Sequence, residues 1–350
     1  MSGQRTNEVS KSSSVDTTMI RTREQELSRR SKIRELAEPV ALLVVLGVLV
    51  AVFTFLNPRF ASVENMRNVL DQASIPMIIA VGVTLVILLG SIDLSVEGVM
   101  GASAMVFVLL SANTRAETDY GLLAPLAAIS AGVALGALSG FVLTKIRVPS
   151  FVVTLGMWFV GLGVATLLYG TETIPFLANE EVSGWSSTLT LGLPNSFWAA
   201  VLIVVLGVVV MNISRFGRVI MAIGNNESIA RTSGVRVDRI KIAVFAIAGA
   251  LSAIAGIIAA IKLGSGSPSV GVGNLFVAIP AVVIGGTALA GGKGGVLRTA
   301  LGVMILTVLN NGLILAGVSP NFQQGIAGTI LIAAIVFAAY SQRDRLRIAK

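Results

Sequence analysis

The stretch SRFGRVIMAIGNNESIARTSGVRVDRIK, residues 214–241, decides how the rest of the chain is read. Apolar runs long enough to cross a bilayer lie on both sides of it. It carries six basic residues (Arg215, Arg218, Arg231, Arg236, Arg239, Lys241) against two acidic ones (Glu227, Asp238). A basic loop of this length between spans faces the cytoplasm. Its middle, ESIARTSG, has helix formers followed by a glycine stop, which predicts a short helix ended by Gly234. Such an ordered helix offers a handle to a soluble partner.

The composition agrees with a membrane setting. Hydrophobic residues make up 54% of the 350 and charged residues 13%, and mean hydropathy is +0.86. Soluble domains carry about 25% charged residues. The 37 glycines suit close helix packing in lipid. With no cysteine and no histidine, disulfides, thiol catalysis and Cys- or His-based zinc and haem sites are excluded, and no metal or cofactor is expected. The net charge of +8 raises a nucleic-acid reading. The basic residues fall in loops between apolar runs, however, so orientation in the membrane explains them better and no nucleic-acid partner is expected.

Residues 1–38 are polar and read as a cytoplasmic tail, disordered or forming a charged surface helix over 21–38 that stops before Pro39. No apolar core follows within the first thirty residues, so they are not read as a signal peptide. A transmembrane domain is expected over 39–341 and a basic cytoplasmic C-terminus over 342–350. Spans are predicted at 40–56, 75–90, 97–112, 121–143, 149–169, 197–213, 242–262, 274–291, 296–316 and 322–340, against the roughly 17–25 apolar residues a spanning helix needs. The second and third are short and interrupted by glycine, as in broken or re-entrant segments. The expectation is an all-α polytopic membrane protein of about ten helices with both termini cytoplasmic. That layout puts 22 of the 26 basic residues inside and leaves Arg59, Arg67, Arg115 and Lys262 outside, the bias the positive-inside rule requires.

Residues 81–106 echo 280–305 as apolar run, glycine-rich break and apolar run. Transporters often contain two related halves, and apolar glycine-rich helices also look alike by chance. Within the first break, GSIDLSVEG (residues 90–98), Asp93 and Glu97 fall four apart, on one face of a helix. They are candidates for a proton or cation site. The other reading puts them at the inner surface, with Asp93 capping a helix. The second break, GGTALAGGKGG (285–295), resembles a phosphate loop only superficially. Thr287 stands where a Walker motif needs its first glycine, and Gly294 follows Lys293 where it needs Ser or Thr. A tight inner turn is expected.

In GNNESIARTSG (224–234), Gly224, Asn225, Glu227, Ala230, Arg231 and Gly234 are the candidate partner-docking residues. The asparagines suit a turn or cap, and Ala230 and Gly234, four apart, permit close helix docking. Asn310 and Asn311, inside an apolar run, either glue helices or line a polar path. Trp158, Tyr169, Trp185 and Trp198 are expected near span ends or outer loops. Polar groups are too sparse for an active site, so no catalytic residue is assigned.

With these motifs together, the chain over about 40–340 resembles permease subunits of ATP-binding-cassette importers for monosaccharides, of the ribose, xylose, arabinose and galactose type. The family patterns GGIDLSVGS, G-x-N-x-x-A-A-R-x-S-G-I and GGTSLxGGxG correspond to residues 90–98, 224–235 and 285–295, followed by LNNGLILAGVSPNFQQ. Departures are Ser91 and Glu97 in place of glycine, Ile229 in place of alanine, and Arg298 where glycine is common. The resemblance implies a bacterial inner-membrane subunit paired with a second copy or paralogue. Its partners would be a cytosolic ATPase with two fused cassettes, which uses the ATP, and a periplasmic or lipid-anchored sugar-binding protein. It would hydrolyse nothing itself and would switch between outward- and inward-open states through residues 214–241. The rivals are an ion-coupled secondary transporter using Asp93 and Glu97, a membrane scaffold, and an importer of an amino acid, nucleoside or polyol.

Overall fold

The computed structural model describes residues 39–319 together with Phe322, Gly325, Ile326, Gly328, Thr329 and Ile332. The expected tail (1–38), the basic C-terminus (342–350) and most of the last expected span (322–340) lie outside the described residues.

Among the described residues, seven helices are long and apolar enough to cross a membrane: α1 (Pro39–Leu56), α2 (Val63–Leu88), α4 (Leu123–Ile146), α5 (Ser150–Tyr169), α7 (Asn195–Ile213), α10 (Val237–Leu263) and α12 (Val296–Leu315). Two shorter apolar helices accompany them, α3 (Val96–Leu110) and α11 (Leu275–Ile284). Three more, α6 (Glu180–Gly184), α8 (Arg215–Asn225) and α9 (Glu227–Thr232), lie in connections. A two-residue hairpin pairs Leu189–Thr190 with Leu193–Pro194. The protein is a polytopic all-α membrane protein.

Burial is graded from the centre outward. Within α2 the most apolar window is 78% buried, and within α1 only 6%. An outward face rich in Val and Leu, as on α1 and α7, suits lipid rather than water. At the centre, α10 crosses α4 where Gly132 and Gly136 face Gly249. A Cβ on Gly136 would collide with the Phe245 carbonyl oxygen, so small residues set this close approach. The core around α2 and α10 includes Ile78, Val86, Leu88, Phe245 and Ala248.

Three expectations need correction. The span expected at 274–291 is helical only over the ten residues of α11. The second span is not short or broken. The helix begins twelve residues before the expected start at 75, at Val63, because Ser62 caps it by accepting a hydrogen bond from the Asn65 N–H (3.2 Å), and Asn65, Val69 and Ala73 then bury one face at a spacing of four. Trp158 does not mark a span end. It sits in mid-α5, where its backbone abuts Gly98. The other aromatic residues do lie at ends: Tyr169 closes α5, Trp185 follows α6, and Trp198 in the first turn of α7 donates to Thr190 O (2.8 Å).

The cations separate to two ends of the bundle. Arg67 donates to Gly192 O, Arg115 pairs with Glu172 and Lys262 with Asp71, all at the end that carries residues 170–194. Residues 214–236 and the 285–295 turn occupy the opposite end, as the charge bias requires.

Candidate functional site

Ser214 starts the polar stretch by turning the chain. Its hydroxyl accepts from Gly217 N (3.1 Å) and donates to Val210 O (2.6 Å), joining α7 to α8. On α8, Gly217, Ile220 and Ile223 are buried, and Arg218 Nη1 donates to Ile213 O (3.0 Å), at the carbonyl end of α7 where cations are favoured.

The last turn of α8 meets both glycine-rich breaks. A Cβ on Gly224 would collide with Leu88 O and lie 2.5 Å from Gly292 N, so only glycine fits there. Gly292 N donates to Leu88 O (2.9 Å), and Asn225 Nδ2 donates to Met221 O (2.9 Å) and Gly292 O (3.3 Å). Gly291 in turn abuts Gly90. Three motifs distant in sequence thus converge on one junction at the cationic end. The two echoing segments are both helix–break–helix, α2–α3 and α11–α12, and their breaks touch here. Thr84 Oγ1 joins α2 to α12 by donating to Thr299 Oγ1 (2.9 Å).

The short helix α9 follows. Asn226 caps it, its side chain accepting from Ile229 N (3.1 Å). It ends in a Schellman turn, with Gly234 at φ +82°, Gly234 N donating to Arg231 O and Val235 N to Ala230 O, both 3.1 Å. Charge fixes α9 on α10. Arg231 Nη2 lies 3.0 Å from Glu227 Oε1 and 2.6 Å from Asp238 Oδ1, while Lys241 Nζ lies 2.7 Å from Glu227 Oε2. Partial burial pushes the Glu227 carboxyl up, but hydrogen bonds and charge from Lys241 and Arg231 outweigh it, and its pKa falls below the ordinary 4.5. Ala230 is buried against the chain itself rather than presented to a partner, whereas Ile229 is 61% exposed. The outward surface of α9 is therefore Ser228, Ile229, Arg231 and Thr232.

The candidate path residues do not join this junction as a set. Asp93 is buried and accepts from Ser95 N (2.8 Å) and Ser95 Oγ (2.6 Å), which closes a local turn just before α3. Glu97, also buried, accepts from Gly273 N and Leu275 N, both 3.0 Å, and so caps α11. Asn311 accepts from Asn65 Nδ2 (2.9 Å), joining α12 to α2, and Asn310 is half-buried.

One cluster escaped the sequence reading. Lys262 Nζ at the end of α10 lies 2.9 Å from Asp71 Oδ1 and donates to Asp71 O (2.6 Å) and Ser74 Oγ (3.3 Å). Ser196 Oγ of α7 donates to Asp71 Oδ1. The signal was present in Asp71, an acid in a helical stretch, with Lys262 at the edge of a span. Their 191-residue separation hid the pairing.

Residues 65–335 match the family described as branched-chain amino acid transport system, permease component. The chain belongs to this permease family. The ribose import permease protein of Escherichia coli K12 is 39% identical over 302 residues, covering 84% of this chain and 91% of that one. That of Bacillus subtilis 168 is 36% identical over 297 residues, 83% and 89% respectively. The L-arabinose transport system permease protein of Escherichia coli K12 is 33% identical over 312 residues, 87% and 91%. No solved structure matches the chain significantly. The stretch matched to the permease family contains the whole junction from Leu88 to Gly292.

Proposed function

We propose that this chain is the membrane-spanning permease subunit of an ATP-binding-cassette importer carrying a monosaccharide of the ribose and arabinose class across the bacterial cytoplasmic membrane. The observation that carries this reading is the 39% identity to a ribose import permease across 91% of that protein. The family description names branched-chain amino acids, and the sugar reading is favoured by relatives named for ribose and arabinose at 33–39% identity.

A separate cytosolic ATPase, with two fused cassettes, docks on α8 and α9. It uses the ATP, so the permease needs no cofactor and has no catalytic residue. A sugar-binding protein delivers substrate at the opposite face, and a second permease copy or paralogue completes the path. Because Arg231, Glu227, Asp238 and Lys241 tie α9 to α10, a displacement of α9 moves α10 with it. Because Gly224 and Asn225 touch Leu88 and Gly292, it also bears on both helix–break–helix units. The ATPase biases the inward–outward equilibrium only as far as its contacts differ between the two states.

The secondary-transporter reading needs Asp93 and Glu97 to bind a coupling ion, yet both carboxylates already accept two hydrogen bonds. The test is co-reconstitution with the ATPase and binding protein from the same source. ATP-dependent D-ribose uptake, retained in the Asp93→Asn/Glu97→Gln variant whose amide oxygens still accept, is expected. Uptake driven by a proton or sodium gradient without ATP overturns the proposal.

A further inference from the structure

Between α10 and α11 the chain unwinds. Residues 264–274, GSGSPSVGVGN, run as successive tight turns, with Val270 N donating to Ser267 O, Val272 N to Ser269 O and Asn274 N to Gly271 O. The segment starts at the end that carries Asp71 and Lys262, where Gly266 N donates to Pro175 O (2.9 Å). It finishes at α11, whose ten residues lead to the 285–295 turn at the opposite end. At 1.5 Å per residue, α11 spans about 15 Å, half of a hydrocarbon core of about 30 Å. Asn274 therefore sits near mid-depth. The neighbours agree: Gly271 abuts Glu97 and Met100, and Gly98, one residue beyond Glu97, abuts Trp158 in mid-α5.

Irregular backbone at membrane depth is tolerated only where protein covers it or where it lines a water-filled cavity. One side of this segment is covered. Gly271 packs on Glu97 and Gly101 on Pro268. The other side is open: Ser269 is exposed, Val272 is 64% and Phe276 73% exposed. Lipid cannot solvate these turns, nor the paired hydroxyls of Ser267 and Ser269 (3.0 Å).

We propose that the open side, Ser269, Val272 and Phe276, together with the half-buried Asn274, lines the translocation path and is where the permease itself contacts the solute. This rests on the permease reading above and deepens it. Midplane sites at interrupted helices are a recurring transporter design. A few polar groups beside an apolar ring suit a sugar, with hydroxyls to Ser269 and Asn274 and a C–H face to Phe276. The charge of the solute follows from Glu97. Its carboxylate already occupies Gly273 N and Leu275 N at the start of α11, where a substrate carboxylate would otherwise be drawn. The site is thus suited to a neutral hydroxylated solute rather than an amino acid.

The chain has no cysteine, so labelling of single cysteines introduced into it can be read on this chain without background from its own residues. Ser269→Cys, Val272→Cys and Phe276→Cys are made in the full complex and treated with a membrane-impermeant methanethiosulfonate. Leu191→Cys, in the exposed hairpin, is the positive control and Leu202→Cys, on the apolar face of α7, the lipid-facing one. Modification at 269, 272 and 276 should be about tenfold or more faster than at 202, since the reacting thiolate needs water. It should abolish ATP-dependent D-ribose uptake, and D-ribose with its binding protein should slow the modification. Rates no greater than at 202, or modification at all three positions without loss of uptake, overturn the path lining. Failure of the unsubstituted complex to take up either D-ribose or L-arabinose would instead overturn the monosaccharide reading, since the labelling ranks positions without reference to substrate.

Discussion

Arg231 Nη2 lies 2.6 Å from Asp238 Oδ1, across the Gly234 turn that separates α9 from α10. The same nitrogen lies 3.0 Å from Glu227, so this guanidinium holds α9 to the rest of its own protein. Arg231→Glu would set three carboxylates together. Each exposed pair is worth only about 0.2–1 kcal/mol, so the variant should insert and fold while α9 loses its seat and the ATPase no longer co-purifies. Reversing the partner as well, in Arg231→Glu/Asp238→Arg, should restore part of the association in a pull-down. A double variant no better than the single one would mean that Arg231 contacts the ATPase directly.

Gly224 has no room for any side chain beside Leu88 O and Gly292 N. Gly224→Val should lower stability by about 1–3 kcal/mol, as overpacking does, read as a lower thermal midpoint in detergent. ATP-driven uptake should fall further than stability, because the junction is displaced. Gly184→Ala, which meets nothing within 4 Å, should leave both unchanged.

The sequence reading located most of the apolar helices and the order within residues 214–241, because those features are local. A Gly stop and an Asn cap belong to a single turn, and both the Asn226 cap and the Gly234 stop are in place. Contacts between distant segments were not legible. The four-residue spacing of Asp93 and Glu97 left open either one ionisable site or a local structural role for Asp93, and each carboxylate accepts from a different backbone turn. Ala230 and Gly234 looked like a docking surface by spacing, but burial turns Ala230 inward. Residues 264–274 fall between the spans expected at 242–262 and 274–291 and carry no signal of their own, and only packing against Gly101 and Glu97 draws them into the bundle.

Lys262 is four-fifths buried beside Asp71. Asp71→Leu leaves its ammonium without a counter-ion and should cost about 1–3 kcal/mol, less than for a fully enclosed pair. Adding Lys262→Leu removes the stranded charge, so the double variant should melt higher than Asp71→Leu alone. Additive losses in the thermal midpoint would show that the pair is not coupled.

The lowered Glu227 pKa gives the seat of α9 a pH dependence. A carboxyl whose folded pKa is depressed contributes stability that is present above its ordinary value of 4.5 and is lost as pH falls through the folded value. A spin label on Ser233→Cys should therefore keep the same line shape as pH falls toward the ordinary carboxyl value of 4.5 and become more mobile only below it. Loosening between pH 7 and 5 would contradict the assignment.

The central claim is that residues 214–241 seat a cytosolic ATPase on this permease. The most direct measurement is gentle solubilisation from the native membrane followed by mass spectrometry of what co-purifies with the intact chain and with Arg231→Glu. The account predicts a two-cassette ATPase with the intact chain and its loss from the variant. A reproducibly solitary intact chain, in a detergent that keeps known importers assembled, would contradict it.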